Sequence, residues 1–368
     1  MDKDLLYQIA LSYPQAMSTE RAHLLFDYYP TAESIFKESS QTLMTISRGQ
    51  FFQHEAFRTE LLKKAEAECL FIEKNKIKTW YFKDENYPTR LKSCPDCPIL
   101  LYTKGVHNLE DGHFISIVGT RDMTPYGQII TDKFVEELAE YKDQNTIISG
   151  LAYGVDSQAH RAALKNRLVT DAVVAHGLDM IYPASHRNLA IQMIEQGGGL
   201  ITEYPSKTRV IRSNFLQRNR IVAGLSDALI VIESADKGGS LTSARLANSY
   251  NRDVFAFPGR AGDIYSKGCN SLIKLQMANL ITSAEDLYKV KEWLRPKNRS
   301  LTLQFSKEEN LTLEQKSILQ VLQTEPLSLI QISKQTHFSL QKLNGLLLQM
   351  EIDGLLLALP GKRYQSKI

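Results

Sequence analysis

The chain of 368 residues is 43% hydrophobic and 23% charged, which is typical of a soluble globular protein of roughly two to three domains. Its net charge of +3 is too small to identify a class of partner, so the positions of the cations matter more than their number. The sequence shows no signal-peptide pattern, and no apolar run approaches the ~20 residues of a membrane span. We therefore expect a cytoplasmic protein with reduced thiols and no membrane contact.

Residues 1–75 predict several short helices. Apolar side chains recur at helical spacing, as at Leu5, Leu6 and Ile9, and turn-forming residues separate the runs. This pattern predicts a small helical domain of the sterile-alpha-motif or helix-hairpin-helix type. A plain packing module without a ligand is the alternative, and the sequence does not decide between the two.

Residues 76–113 lack a sustained hydrophobic period, although they are rich in aromatic residues and proline. We expect an irregular connector packed on the core of the next domain, because a free linker would be more polar. Cys94 and Cys97 have the C-x-x-C spacing, but no second Cys/His pair lies near them to complete a zinc site. A turn with incidental thiols is the favoured interpretation.

Residues 114–288 alternate apolar runs with helical patterns. The predicted strands cover residues 114–118, 146–148, 172–175, 200–202, 228–232 and 254–257. Near-continuous apolar strands separated by helices predict a parallel sheet that is covered on both faces. With right-handed crossovers, this is a Rossmann-like, doubly wound α/β fold.

One segment of this α/β region is strongly cationic. Residues 204–220 contain no acidic residue and five basic ones, Lys207, Arg209, Arg212, Arg218 and Arg220. The aromatic residues Tyr204 and Phe215 lie among these cations. The predicted strand 228–232 follows, and Gly238-Gly239 then indicates a turn into a helix. Basic groups, an aromatic side chain and a strand-to-helix turn together favour a phosphate-rich ligand that carries bases.

Glycine and polar residues follow several of the predicted strands. In an open parallel sheet, ligands bind at the carboxyl ends of the strands. Glycines there let backbone N–H groups approach a phosphate, and helix N-termini favour anions. One such turn is weak evidence, because α/β folds need these turns anyway. Together with the cationic segment, four turns favour an anion site: residues 119–121, 149–154, 176–179 and 237–240.

Several common site motifs are missing from the sequence. There is no G-x-x-x-x-G-K-[ST] motif, and no G-x-G-x-x-G follows the first strand, so neither a P-loop ATPase nor a dinucleotide cofactor is expected. No spacing indicates a metal site. We expect His160, His176 and His186 to be polar surface or structural residues. Asp156 and Asp179 could be catalytic carboxylates, or they could equally cap helices or brace loops.

The C-terminal part changes character twice. Residues 289–310 are polar and basic, which predicts a linker, with a second nucleic-acid contact as the weaker alternative. Residues 311–368 show three helical patterns and a short hairpin, the winged-helix arrangement. The third helix has few side chains that read bases, with only Gln341, Lys342 and Asn344 as candidates. We therefore expect a partner-binding or auxiliary role for this domain.

The α/β region contains a series of distinctive motifs: SIVGTR at 116–121, SGLAYGVD at 149–156, GLDMIYP at 177–183, FLQRNRIVAGLS at 215–226, GSLT at 239–242, VFAFPG at 254–259 and GCNSLI at 268–273. Together these motifs resemble those of a known family, the DNA-processing protein A (DprA/Smf) family. The run at 218–226 is the most specific of them. The flanking helical and winged-helix regions fit the usual three-part layout of the family.

This resemblance implies a protein that binds single-stranded DNA without catalytic turnover. Members of the family protect incoming strands during natural transformation, load the RecA recombinase onto them, and form homodimers through the Rossmann-like domain. The resemblance implies that Arg121, Arg212, Arg218 and Arg220 hold phosphates, with Arg187 as a further candidate. Phe215 would stack on a base.

The complete DNA-binding prediction adds the glycine-rich turns and their polar neighbours. It comprises Gly119, Thr120, Arg121, Ser149, Gly150, Arg187, Arg212, Asn214, Phe215, Arg218, Asn219, Arg220, Gly238, Gly239 and Ser240. No catalytic residue, metal or cofactor is predicted. The alternative is a nucleoside-monophosphate hydrolase similar to the lonely-guy phosphoribohydrolases, but residues 238–245 lack the catalytic glutamate that such enzymes carry after this turn. A third interpretation is a protein-interaction scaffold that uses the winged helix.

Overall fold

The computed structural model describes residues 3–13, 19–47, 55–106, 108–141, 145–293, 312–322, 326–353, 355–359 and 363–366. The chain divides into two compact units, residues 1–291 and 292–368. Most of the predicted basic linker at 289–310 lies outside the described residues.

The described N-terminal residues are helical, as the sequence predicts. They form α1 (Lys3–Ser12), α2 (Thr19–Phe26), α3 (Ala32–Lys37), α4 (Ser40–Ser47) and α5 (Glu55–Asn75). Leu61, Ala65 and Ile72 are buried on α5, at a spacing that places them on one face of the helix. They pack with α1 to α4 around a shared apolar core. The likeness to a sterile-alpha-motif or helix-hairpin-helix domain stays a prediction.

The rest of the first unit contains a nine-stranded sheet, counted over the described residues. Its strands are β1 (Lys78–Tyr81), β2 (Leu100–Lys104), β3 (His113–Val118), β4 (Asn145–Ser149), β5 (Val169–Val173), β6 (Gly199–Thr202), β7 (Ala228–Val231), β8 (Asp253–Ala256) and β9 (Asn279–Leu280). The connecting helices are α6 (Thr89–Lys92), α7 (Pro125–Glu140), α8 (Val155–Lys165), α9 (Arg187–Glu195), α10 (Arg212–Leu225), α11 (Gly239–Ser249), α12 (Lys267–Lys274) and α13 (Ala284–Val290).

The strand order is β1-β2-β6-β5-β4-β3-β7-β8-β9. Strands β3 to β9 pair in parallel, and α7 packs on α8 while α10 packs on α11. The chain winds outward from β3 to β6 and returns to β7 on the other side of β3. This confirms the predicted Rossmann-like, doubly wound fold, and it places the switch point of the sheet between β3 and β7.

One predicted strand is shifted. The expected strand at 172–175 runs instead from Val169 to Val173. The apolar pattern missed its start because Thr170 and Asp171 are polar, yet both side chains are buried in the sheet. A run of apolar residues therefore underestimates the length of a strand whose buried side chains include polar ones.

The prediction of an irregular connector at 76–113 was wrong in one respect. Strands β1 and β2 lie in this segment, and β2 pairs antiparallel with both β1 and β6. Leu100 and Tyr102 face the core of the helical bundle, whereas Leu101 faces the core of the sheet. Because both faces of β2 are covered, its sequence shows no alternation of apolar and polar residues.

The second unit has the predicted winged-helix arrangement. Its elements are α14 (Leu313–Val321), β10 (Leu327–Ser328), α15 (Leu329–Thr336), α16 (Leu340–Ile352), β11 (Leu356–Leu359) and β12 (Arg363–Ser366), and the strands pair in the order β10-β12-β11. Ile318, Ile332, Leu343 and Leu347 are fully buried and form the centre of its small core.

Candidate nucleic-acid interface

A cavity of about 700 Å³ opens at the carboxyl ends of β3, β4 and β7, where the direction of the strand order reverses. Ligands bind at this position in open α/β sheets. The predicted site residues that line it are Gly119, Thr120, Arg121, Gly150, Arg212, Phe215, Arg218, Asn219, Gly238, Gly239 and Ser240. Residues from four separate parts of the sequence thus meet in one cavity.

The turn after β3 forms one wall, and it is fixed by a buried carboxylate. A Cβ atom at Gly119 would come within 2.4 Å of Val155 Cγ2, so only glycine fits there. Thr120 N donates to Glu233 O at 2.8 Å, and Thr124 N and Oγ1 donate to the Glu233 carboxylate at 2.9 and 2.5 Å. These bonds hold the turn so that the exposed side chain of Arg121 reaches the cavity.

Arg218 comes from the interior of α10 and forms the floor of the cavity. Its side chain is only 3% exposed, and Nη1 donates to the backbone oxygens of Gly150, at 2.5 Å, and Val173. A Cβ atom at Gly150 would come within 2.5 Å of Arg218 Nη1. The glycine after β4 is therefore needed to let the guanidinium reach the end of the strand.

The charge of Arg218 is poorly compensated. Burial lowers its pKa, and the nearby Asp156 carboxylate opposes that shift. Burial in turn raises the pKa of Asp156, which accepts a hydrogen bond from Ala152 N at 3.3 Å. A guanidinium keeps its proton in a folded protein. The floor therefore carries a buried positive charge, and Asp156 is the only acidic residue lining the cavity in the described part of the chain.

Two aromatic rings stand on one side of the cavity. The rings of Phe215 and Tyr182 lie 5.8 Å apart at an angle of 61°. The Arg121 guanidinium carbon lies 5.5 Å from the centroid of the Phe215 ring. Tyr182 was not among the predicted site residues, although it lies in the GLDMIYP stretch at 177–183. Its signal was an aromatic residue in a turn after a strand, and the structure leaves that ring 45% exposed.

The N-terminus of α11 also lines the cavity. Gly238 is the N-cap residue, and a Cβ atom at Gly239 would meet no atom within 4 Å. The Ser240 hydroxyl donates to Ser234 Oγ at 2.8 Å, so its contribution to the cavity is the backbone N–H rather than a free side chain. Lys237 is exposed and also lines the cavity. An open helix N-terminus beside a lysine favours an anion.

Four predicted site residues lie outside the cavity lining. Ser149 is buried and donates to Ile117 O at 2.6 Å, inside the sheet. Asn214 is also buried, and its amide donates to Arg209 O at 3.2 Å. Both side chains support the walls from behind. Their direct contact with DNA remains an untested prediction.

The other two residues outside the lining are arginines. Arg187 is exposed at the first position of α9. Arg220 lies on a different face of α10 from Arg218, where it donates to the Glu203 carboxylate and to Asp96 O. The structure therefore brings Arg121, Arg212 and Arg218 together and places Arg220 and Arg187 elsewhere.

The histidines and the second aspartate have structural surroundings. His160, His176 and His186 are buried, and burial lowers the pKa of His160 to about 3. His176 Nε2 accepts a hydrogen bond from Tyr182 N at 3.1 Å, which positions that aromatic residue. Asp179 accepts from Lys207 N at 3.0 Å and braces the cationic segment. Bracing was one of the two roles that the sequence left open for this residue.

The cysteines of the C-x-x-C pair form a turn, as the sequence favoured. Cys97 N donates to Cys94 O at 3.2 Å, and both thiols are buried and unoxidised. Within the described residues, no cluster of His, Cys, Asp and Glu side chains is arranged to bind a metal ion. In the same residues, the helices are too short or too polar to cross a membrane.

The geometry thus describes a cavity suited to an anionic ligand that carries flat rings. Cationic side chains, an open helix N-terminus and an aromatic pair all line this cavity. Comparison with known proteins gives two matching family models. Residues 78–292 match the model of DNA recombination-mediator protein A, and residues 306–362 match the DprA winged helix domain.

Individual relatives are similar over much of their length. The chain is 34% identical over 333 residues to Protein Smf of Synechocystis sp., covering 81% of this chain and 83% of the relative. It superposes on DNA processing protein A of Streptococcus pneumoniae with a TM-score of 0.65 and 30% identity, over 78% of this chain and 98% of that one. The Helicobacter pylori protein, described for its single-stranded DNA binding mode, gives a TM-score of 0.51 and 34% identity, over 58% and 94%.

Proposed function

The chain belongs to the DNA recombination-mediator protein A (DprA/Smf) family, and from this premise we propose that it binds single-stranded DNA without catalytic turnover. The observation that carries the proposal is the convergence of Arg121, Arg212, Arg218 and Lys237 on one cavity beside Phe215. In its cellular role, the protein would protect incoming strands during natural transformation and load the RecA recombinase onto them. It would act as a homodimer through its Rossmann-like domain.

The backbone of the strand would be held by three kinds of group. Arg121 and Arg212 are exposed and both line the cavity, so each can bind a phosphate of the strand. The N–H groups at the start of α11 offer uncharged donors to a second phosphate oxygen. Arg218 would act mainly through its field, because its Nη1 is already bonded to carbonyl oxygens. None of these contacts reads a base, so we expect binding with little sequence preference.

The bases would stack on the aromatic pair. Phe215 and Tyr182 have their rings tilted to each other, which lets each accept a different base. Stacking on an aromatic side chain contributes about 1–3 kcal/mol per base. A duplex hides its base faces, so this arrangement favours single strands over double strands.

The hydrolase alternative finds less support in this cavity. Its acid would have to be free to act on the ligand, but Asp156 lies beside Arg218 and accepts a hydrogen bond from Ala152 N. Glu233 holds Thr124 and lies outside the lining. Release of free base from a nucleoside monophosphate by the purified protein would restore that alternative.

The test is a salt titration of fluorescence anisotropy with a labelled oligonucleotide, single-stranded and double-stranded. We expect preferential binding of the single strand, with log K falling linearly as log salt rises. Arg121→Ala should weaken binding by about tenfold and reduce the slope by about 0.7, the value for one lost phosphate contact on a single strand.

The matched control is Lys165→Ala, which removes an exposed cation from the C-terminal end of α8, away from the cavity lining. Its affinity and slope should equal those of the wild type. Equal affinity of folded Arg121→Ala and wild-type protein would refute the proposed site. Failure of the wild type to bind single strands would refute the function.

A further inference from the structure

Part of the cationic segment, residues 204–211, lies between β6 and α10 and is held by contacts with other parts of the fold. Its residues 207–209 carry Lys207 and Arg209, which are both exposed, and Lys207 has a left-handed backbone with φ of 61°. A lysine in that conformation is strained relative to its usual backbone. The segment also leads directly into Val210, Ile211 and Arg212, which line the cavity. Its conformation therefore sets the shape of one wall.

A buried carboxylate from the N-terminal helical bundle holds this segment. Glu68 lies on α5 and is only 4% exposed. Its Oε1 accepts a hydrogen bond from Ser206 N at 2.9 Å, and its Oε2 accepts one from Ser206 Oγ. The neighbouring Lys207 N donates to Asp179. The carboxylates of Glu68 and Asp179, from different parts of the fold, therefore accept hydrogen bonds from two consecutive residues.

The position of Glu68 on its helix is unusual for an acidic residue. It lies in the buried stripe of α5 that also contains Leu61, Ala65 and Ile72. A buried carboxylate is costly unless both oxygens are hydrogen-bonded. Ser206 supplies these bonds within the described residues. If the segment moved away, both carboxylate oxygens of Glu68 would lose their Ser206 donors, so the carboxylate stabilises this conformation of the segment.

The restraint reaches the cavity through the next few residues. Upstream, Tyr204 is buried, and its hydroxyl donates to Gln217 Oε1 at 3.0 Å on α10. Downstream, the Asn214 amide donates to Arg209 O. Glu68 thus fixes the middle of a segment whose two ends are fastened to α10. The exposed cations project from a backbone with little freedom to rearrange.

We propose that Glu68 is a positioning residue for single-stranded DNA, through which the N-terminal helical bundle becomes part of the nucleic-acid interface. This inference rests on the proposed function. It assigns the bundle a role beyond packing, because the cations of residues 207–212 are ordered before the strand arrives. Preorganised groups bind more tightly because less conformational entropy is lost on binding.

The experiment compares three variants of the full chain by anisotropy with a single-stranded oligonucleotide. Glu68→Ala should weaken binding by about tenfold, since it releases the segment. Glu68→Gln should bind within about threefold of the wild type, because its amide can still accept from Ser206 N and donate to Ser206 Oγ. This rescue separates hydrogen-bonded positioning from any effect of the charge. Affinity is expressed per folded molecule, with the folded fraction taken from circular dichroism.

His23→Ala is the matched control. His23 Nε2 lies 2.9 Å from Cys97 O, which is another polar contact of the bundle, but this contact does not involve residues 204–211. Its loss should leave the affinity unchanged. Wild-type affinity of folded Glu68→Ala would overturn the inference, and so would an equal loss in Glu68→Ala and His23→Ala.

Two further measurements cover the case in which Glu68→Ala does not fold and separate the positioning role from the proposed function. If Glu68→Ala does not fold, Ser206→Ala replaces it, because that change removes one of the two bonds and leaves the bundle intact. A loss of about threefold or more then supports the inference, and wild-type affinity overturns it. Wild-type protein and Arg121→Ala are titrated alongside. Absence of wild-type binding refutes the proposed function, whereas normal behaviour of these two with full affinity of Glu68→Ala refutes only the positioning role.

Discussion

Helix α10 presents two arginines, two residues apart, to very different surroundings. Arg218 meets the carbonyl oxygens of Gly150 and Val173 at the floor of the cavity, with Asp156 as its nearest acid. Arg220 meets the Glu203 carboxylate and Asp96 O on another face of the helix. Burial works to lower the pKa of Arg220, but the carboxylates of Glu203 and Asp96 outweigh it and the pKa is raised.

The difference shows that burial and partners, rather than charge alone, decide what a cation can do. The charge of Arg220 is neutralised within the fold, so it adds little potential at the cavity. The charge of Arg218 is only partly compensated and lies at the lining of the cavity. We therefore expect substitution of Arg220 to lower the stability of the fold and substitution of Arg218 to lower the affinity for DNA.

The largest expected effect follows from breaking the ion pair between Arg220 and Glu203. Arg220→Ala would leave the mostly buried Glu203 without its cation, and the loss of one partner from a buried ion pair costs up to about 3–5 kcal/mol. Urea denaturation should show this fall in the free energy of unfolding. The single-stranded DNA affinity of the folded fraction should stay close to that of the wild type.

The control for this prediction is the double variant Arg220→Ala/Glu203→Ala. It removes both charges, so it should lose less stability than the sum of the two single variants. A strong loss of DNA affinity in folded Arg220→Ala, without a loss of stability, would mean that Arg220 contacts DNA after all.

This contrast between the two arginines could not be predicted from the sequence. Both occur in the FLQRNRIVAGLS stretch, and the sequence shows their charge but not which face of the helix each one occupies. The α/β fold was predictable because continuous apolar strands alternate with helices. The cavity was predictable in outline, because glycine-rich turns such as Gly119 and Gly150 follow strands whose carboxyl ends share one edge.

The sequence patterns missed contacts between residues that are far apart in the chain. Glu68 lies 138 positions before the Ser206 that it binds, and nothing local to either residue indicates the pairing. Its position in an apolar helical stripe is the signal that was present, because a buried acid must have a partner. Strands β1 and β2 were missed because both faces of β2 are covered.

The second prediction extends the comparison to acids. Glu203 is mostly buried and paired with a cation, whereas Asp171 is fully buried and has no such cation among the described residues. Its Oδ1 has no hydrogen-bond partner in the described chain, and burial raises its pKa to about 7. Between about pH 4 and 7, the folded state keeps a proton that the unfolded state releases. The contribution of Asp171 to the free energy of unfolding should therefore fall as pH rises through this window, whereas that of His160, whose pKa is lowered by burial, should rise.

Asp171→Asn removes this dependence while keeping an acceptor for the Gly199 N–H. Above pH 7 the variant should be more stable than the wild type by about 2–4 kcal/mol, and near pH 4 the two should be similar. Urea denaturation at a series of pH values measures the difference. Asp263→Asn, at an exposed position, is the control and should leave the profile unchanged. A difference in stability between Asp171→Asn and the wild type that stays constant from pH 4 to 7 would contradict the prediction.

The smallest expected effect is a loss of DNA affinity that distinguishes the role of the aromatic side chain from that of the cations in the cavity. Phe215→Leu keeps an apolar side chain on α10 but removes the flat ring, so it should weaken single-stranded DNA binding by about 1–3 kcal/mol. Because no charge is lost, the slope of log K against log salt should stay that of the wild type, whereas Arg121→Ala lowers it.

An oligonucleotide of abasic sites provides the sharper measurement, because it keeps the phosphates and removes the stacking partners. Phe215→Leu and wild-type protein should bind this oligonucleotide equally, while Arg121→Ala should bind it more weakly than either. If Phe215→Leu lost the same affinity for both oligonucleotides, the ring would be acting by supporting the wall or by orienting Arg121, whose guanidinium carbon lies 5.5 Å from it. The cavity would then bind the backbone alone, and the preference for single strands would need another source.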